Sequence, residues 1–162
     1  MSKGQIAGEE VLLLEPQTYM NLSGDAVGFV VRFYKAELSR LVVVHDDLDF
    51  EPGGLRVKVG GGDGGHKGVQ SIAGHLGDAF IRVRIGIGKP PPGTEGAEYV
   101  LSRFDAQTAL RMEGALEGAA DAVELIIARG PARAMNEVNR TRVQEDEDQS
   151  AGDERASKTR RE

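Results

Sequence analysis

The sequence has no cysteine and no tryptophan, and only three of its 162 residues are histidine. Without cysteine there is neither a disulfide framework nor a thiolate metal site, which suits a reducing compartment. The three histidines stand among glycines and basic residues rather than among acids, so a metal centre lacks converging ligands, and neither metal nor cofactor is expected. Long apolar runs are missing too. The opening MSKGQIAGEE has no signal-peptide core, and no segment has the apolar length needed to cross a bilayer, so a cytoplasmic chain with no membrane partner is expected. An overall excess of cations is also lacking, since the formal net charge is -6.

That total hides a segregation of sign. Residues 54 to 90 carry Arg56, Lys58, Lys67, Arg82, Arg84 and Lys89 against Asp63 and Asp78, a net +4 in an acidic chain. Such a segment can face phosphate. Residues 141 to 162 are almost free of apolar side chains and alternate acidic and basic blocks, which predicts a disordered tail behind one domain over residues 1 to 140.

Alternating elements are predicted along that domain. VLLLEP, 11 to 16, reads as a strand closed by Pro16. Ser23 is placed to cap a helix whose Val27, Val30, Val31 and Tyr34 share one face. LVVVHDDL, 41 to 48, begins with an unbroken apolar run, as in a strand buried on both faces of a central parallel sheet, and its acidic end emerges where such sheets build sites. LRVKV and IRVRIGI alternate strictly, so Arg56 with Lys58, and Arg82 with Arg84, each form a basic strand face. A helix over about 105 to 129 carries Met112, Leu116, Ala119, Ala120, Val123, Ile126 and Ile127 on one stripe, and ARAMNEVN makes a short last helix.

Three groups are placed to carry chemistry. GGGDGGHKG, 60 to 68, packs six glycines, Asp63 and the His66-Lys67 pair between the two basic strands and leads into a helix start with Val69, Ile72 and Leu76 at helical spacing. Side-chain-free backbone, a helix dipole and basic faces together suit an anionic ligand. The run lacks the ending of a nucleotide-binding P-loop and does not fit the dinucleotide fingerprint. In HDDLD, 45 to 49, Asp46 is the candidate for a carboxylate that orients an imidazole, while Asp47 and Asp49 read as turn residues before Pro52. TYMNLSG, 18 to 24, sets Met20 and Asn21 ahead of a helix; spacing alone gives Asn21 no more than turn and cap chemistry. His75 reads as a surface residue without a role.

TYMNLSG, FYK, HDDLD, GGGDGGHKG, IRVRIGIGKP and YVLSRF, in that order, resemble bacterial peptidyl-tRNA hydrolases over roughly residues 5 to 140. The resemblance implies an α/β fold, a single three-layer α/β/α domain with a mixed twisted sheet, monomeric and metal-free. It also implies cleavage of the ester between a peptide and the terminal ribose of tRNA, with tRNA as partner. In the family a histidine is general base on water, and the aspartate after the histidine of the HDD motif, here Asp46, orients it. Asn21, Met20, His66 and Lys67 fall at positions that bind the peptidyl part, and Arg56, Lys58, Arg82 and Arg84 are assigned to tRNA phosphates. Point charges on phosphate read little sequence, which lets one enzyme serve every tRNA.

Two departures accompany the resemblance. The family opens with a strand, a GLGNPG-like loop and a TRHN-like segment bearing the catalytic histidine, none of which occurs here, so the chain is expected to lack its base and an inner strand. Lys67 stands where the family has a substrate-binding asparagine, and lysine donates but cannot accept. The alternatives to a hydrolase are a non-catalytic RNA-binding relative and an inactive remnant.

Overall fold

The computed structural model describes residues 1 to 140; the predicted tail, 141 to 162, lies outside the described residues. The chain opens with a hairpin in which β1 (Ser2–Ile6) pairs antiparallel with β2 (Glu9–Leu13). Its two turn residues, Ala7 and Gly8, have φ of 51° and 84°, the left-handed pair that matches the twist of a tight hairpin. The strand predicted from VLLLEP is therefore earlier by two residues.

The main sheet has three strands in the order β3-β5-β4. β3 (Val42–Asp47) runs parallel to β5 (Ile81–Gly86), and β4 (Leu55–Val59) runs antiparallel to it. The sheet is mixed, as expected. Its inner strand, however, is β5, where every residue except Arg84 is buried, and not the apolar-looking β3. β3 pairs on one side only, and Val44 is 48% exposed. Two arginines had disguised the buried strand as a half-exposed one.

Helices cover both faces of the sheet. On one side α1 (Ser23–Tyr34) and α2 (Lys67–Leu76) enclose Val27, Val69, Ile72 and Phe80. On the other, α4 (Ala106–Arg129) and the helical residues 131 to 140, α5, enclose Val57, Val83, Ile85 and Ile126, while the single turn α3 (Gly96–Val100) lies between β5 and α4 in sequence. Complete burial of one such aliphatic side chain stabilises by about 1.5 to 3 kcal/mol. The three layers of the expected fold are present.

Two helix faces differ from expectation. On α4 the buried residues are Ala115, Ala119, Ala122 and Ile126, whereas Leu116 is 59% exposed and Ala120 is exposed. Small residues let α4 approach β4 closely: an added Cβ on Gly118 would meet the Leu55 side chain at 3.4 Å. On α1, Tyr34 is exposed, and Ser23 is the first helical residue rather than its cap. A 3-10 turn over Met20–Leu22 runs straight into the helix, and the Ser23 hydroxyl donates back to Met20 O at 2.8 Å.

The crossing of α1 and α2 is tight and polar. Gly24 N–H donates to Ser71 Oγ at 3.0 Å, and His75, read from sequence as roleless, binds Asp25 Oδ1 and Ser71 O at 2.9 Å each. Across the sheet, Asn139 of α5 accepts from Val57 N–H and donates to Val57 O, both at 3.0 Å, so its amide occupies the outer edge of β4 like a strand residue. A Cβ on Gly24 would lie 2.3 Å from Ser71 O, a backbone atom that cannot swing away. Gly24→Ala is therefore expected to destabilise the protein by about 1 to 3 kcal/mol, read as a melting temperature several degrees lower.

Candidate active site

The carboxyl end of β3 and the start of α2 meet at one pair of side chains. His66 is the N-cap of α2, and its Nδ1 accepts from Gly68 N–H at 3.1 Å and Val69 N–H at 3.2 Å. A ring nitrogen that accepts carries no proton, so the neutral ring is protonated at Nε2, which donates to Asp46 Oδ1 at 3.1 Å. The His66 hydrogen bond holds the Asp46 carboxyl below the ordinary carboxylate range despite partial burial. Reciprocally, Asp46 pulls the His66 imidazole upward against desolvation.

The neighbour on β3 behaves in the opposite way. His45 is 9% exposed, its Nδ1 lies 2.7 Å from Asp46 O, and its ring sits edge-on to His66 with centroids 5.0 Å apart. Burial pushes His45 down, so it stays neutral beside a histidine that favours its charge. Its buried Nε2 has no hydrogen-bond partner among the described residues.

A cleft of about 970 Å³ runs along the open edge of β3, with Leu12, Val44 and Ile126 on its apolar walls and Met20, Asp46 and His66 among its polar and sulfur-bearing lining. Met20 packs on the start of α2, where an added Cβ on Gly68 would meet its Sδ at 2.5 Å. Of the residues expected at the peptide site, Met20 and His66 line this cleft together with Asp46, the expected orienting carboxylate. Asn21 is exposed in the turn before α1, and Lys67 is exposed at the start of α2; neither lines the cleft. Among the described residues no three His, Cys, Asp or Glu side chains converge as metal ligands, and no helix is long and apolar enough to cross a membrane.

The four strand cations do share one face, since Arg56 pairs with Arg84 and Lys58 with Arg82 in the β4–β5 register. Their surroundings differ sharply. Lys58 is exposed at the start of the glycine run, with its Nζ 2.6 Å from where a Gly61 Cβ would be. Arg84 donates to Asp47 Oδ2 from Nε and Nη2, both at 2.7 Å, and lies over the Phe50 ring; Arg56 donates to Asn139 O at 3.1 Å. Arg82 is 2% exposed, with its Nη1 donating to Gly62 O of the glycine run. Alternation placed Arg82 on the right face; it could not reveal that a loop covers that face.

Asp47 carries more than the sequence reading gave it: its Oδ1 accepts from Asp49 N–H at 2.9 Å, the turn role expected of it, but it is also only 6% exposed and paired with Arg84. The signal was available in the register: Asp47 and Arg84 lie on strands that pair, two positions from the site. That a helix starts at His66 was legible from the glycines before it; that its side chain caps that helix and bonds Asp46 was not.

Comparison with known proteins places this geometry in context. The family model described as peptidyl-tRNA hydrolase matches residues 1 to 146. A peptidyl-tRNA hydrolase of Anaeromyxobacter dehalogenans is 47% identical over 141 residues, which cover 86% of this chain and 73% of that protein. One from Rubrobacter xylanophilus is 48% identical over 134 residues, 83% of this chain and 72% of that one. The crystal structure of the Acinetobacter baumannii peptidyl-tRNA hydrolase superposes with a TM-score of 0.80 at 39% identity, covering 85% of this chain and 70% of that one.

The two partners of the central pair respond oppositely to pH. The depressed Asp46 contributes stability above its unfolded-state value and loses it as pH falls through its folded value; the raised His66 contributes below its ordinary value near 6.5 and loses it as pH rises through its folded value. Asp46→Asn is expected to lower the His66 titration midpoint, followed by imidazole NMR; an unmoved midpoint would show that Asp46 does not set it.

Proposed function

The chain belongs to the peptidyl-tRNA hydrolase family, and from that membership we propose that it frees tRNA from peptidyl-tRNA by hydrolysing the ester that joins peptide to ribose, with Asp46 as the central site carboxylate. The site observation that supports this assignment is the Asp46–His66 bond at the end of a cleft large enough for a peptide chain. Ester hydrolysis needs a water that gives its proton to a base while attacking the carbonyl; the family resemblance gives that role to a histidine in a segment that does not occur in this sequence, and Asp46 is the carboxylate placed to orient such an imidazole. Asp46 has one oxygen committed to His66, and its other accepts no side-chain hydrogen bond from the described residues.

His66 itself is not the proton acceptor in this geometry. Both of its nitrogens are engaged, the free nitrogen of His45 is buried, and His75 is tied to Asp25 and Ser71 at the far end of α2. We therefore give His66 the task of holding the Asp46 carboxylate toward the cleft. Met20 contributes an apolar contact for the peptide, and Asn21 and Lys67 approach it from the rim.

For tRNA we assign the exposed Lys58 and Lys67 together with the partly exposed Arg84 to the phosphates. Arg56 adds to the local potential while bonded to Asn139. Arg84 has a second duty in pairing with Asp47, so its loss would cost stability as well as charge. This reading carries with it a cytoplasmic, monomeric enzyme on residues 1 to 140.

The test is release of peptide from an N-blocked aminoacyl-tRNA, measured beside binding of the same tRNA. Release above the uncatalysed rate supports the hydrolase; binding without release would reassign the chain to the tRNA-binding relatives. Asp46→Ala is expected to lower kcat by about 10²-fold or more while tRNA affinity stays near the parent's. Lys58→Ala is expected to weaken tRNA binding and reduce the slope of log affinity against log salt by about one.

A further inference from the structure

Arg82 is a buried cation without a carboxylate in contact. Its Nη1 donates to Gly62 O at 2.5 Å, its guanidinium lies 4.6 Å from the centre of the Phe80 ring, and its Nε and Nη2 have no hydrogen-bond partner among the described residues. Burial works against its charge, as does Arg84, while Asp78 and Asp63 support it only from a distance. A charge kept under such conditions is expensive, and an apolar side chain of similar length would serve packing better.

What Arg82 gains is control of the glycine run. Gly60 N–H donates to Phe80 O at 3.0 Å, so Phe80, just before β5, and Arg82, within it, hold two alternate residues of the run, Gly60 and Gly62. Gly60, Gly61, Gly64 and Gly65 all have positive φ, which leaves the segment with little stiffness of its own. Its far end is fixed internally, by Asp63 accepting from Gly65 N–H at 2.8 Å and from His66 N–H at 3.0 Å. The next residue in the line of force is His66, which meets Asp46.

We propose that Arg82 is a positioning residue, which anchors the glycine run through Gly62 so that His66 stands against Asp46, and that it touches no phosphate itself. The proposal rests on Asp46 being the site carboxylate. It sets Arg82 apart from Lys58 and Arg84, the strand cations assigned to phosphate.

The experiment uses the full chain with Arg82→Met, which removes charge and donors but keeps an apolar stem, alongside Arg82→Gln and Arg82→Lys. Melting curves establish folding, imidazole NMR follows His66, and tRNA affinity is measured against salt. In the folded Met or Gln variant the His66 midpoint should fall and its Nε2–H signature should be lost. The Lys variant should restore both in part, and the salt slope should equal the parent's. An unchanged His66 titration in a folded variant overturns the proposal, and so does a salt slope lower by about one, which would make Arg82 a phosphate contact. Failure of both the Met and the Gln variants to fold also overturns it, since Arg82 would then serve the scaffold. If the parent neither binds nor cleaves tRNA, the functional reading fails while the His66 titration still decides the role of Arg82.

Discussion

One imidazole joins the helix layer to the sheet, and the site is built around the division of labour between its nitrogens. His66 Nδ1 accepts from the first turn of α2, which forces the proton onto Nε2 and aims it at Asp46. An aspartate could cap the helix equally well, but it could not donate to a carboxylate at the same time. Protonating the ring would strengthen its bond to Asp46 and turn Nδ1 from acceptor to donor, opposing two backbone N–H groups. Cap and carboxylate therefore pull the ring's proton affinity in opposite directions, and the start of α2 is electrically coupled to the site.

The same economy governs the strand cations. Sequence alternation puts Arg56, Lys58, Arg82 and Arg84 on one face, yet only part of that face reaches solvent, since the glycine run crosses it. The buried Arg84 side is matched by Asp47, and the ring of Phe50 lies beneath both Arg84 and Arg56. Charge that a simple patch would offer entirely to a nucleic acid is here divided between holding the fold and attracting the ligand.

Much of this was legible beforehand, for identifiable reasons. Alternation fixed the faces of β4 and β5, the glycine run followed by His66 fixed the start of α2, and the order of motifs fixed the family. What escaped depends on contacts between segments distant in sequence. The inner position of β5 was hidden because its arginines look exposed until a loop is laid over them. The stripe of α4 was read in part: Ala119 and Ile126 are buried and Met112 and Val123 pack on the core as expected, but Ala115 and Ala122 are buried in place of Leu116 and Ala120, since alanine is apolar on any face and only packing selects among them. Asp47 looked like a turn residue alone because its partner lies 37 positions away.

The amide of Asn139 on Val57 has a further consequence, for the order of events during synthesis. Val57 and Asn139 are separated by 82 positions, so β4 and β5 are synthesised well before the side chain that bonds the outer edge of β4 at Val57. During that interval the edge is an open template for a neighbouring chain. The last described helix therefore brings a strand-like hydrogen-bonding partner to an edge strand made some eighty residues before it.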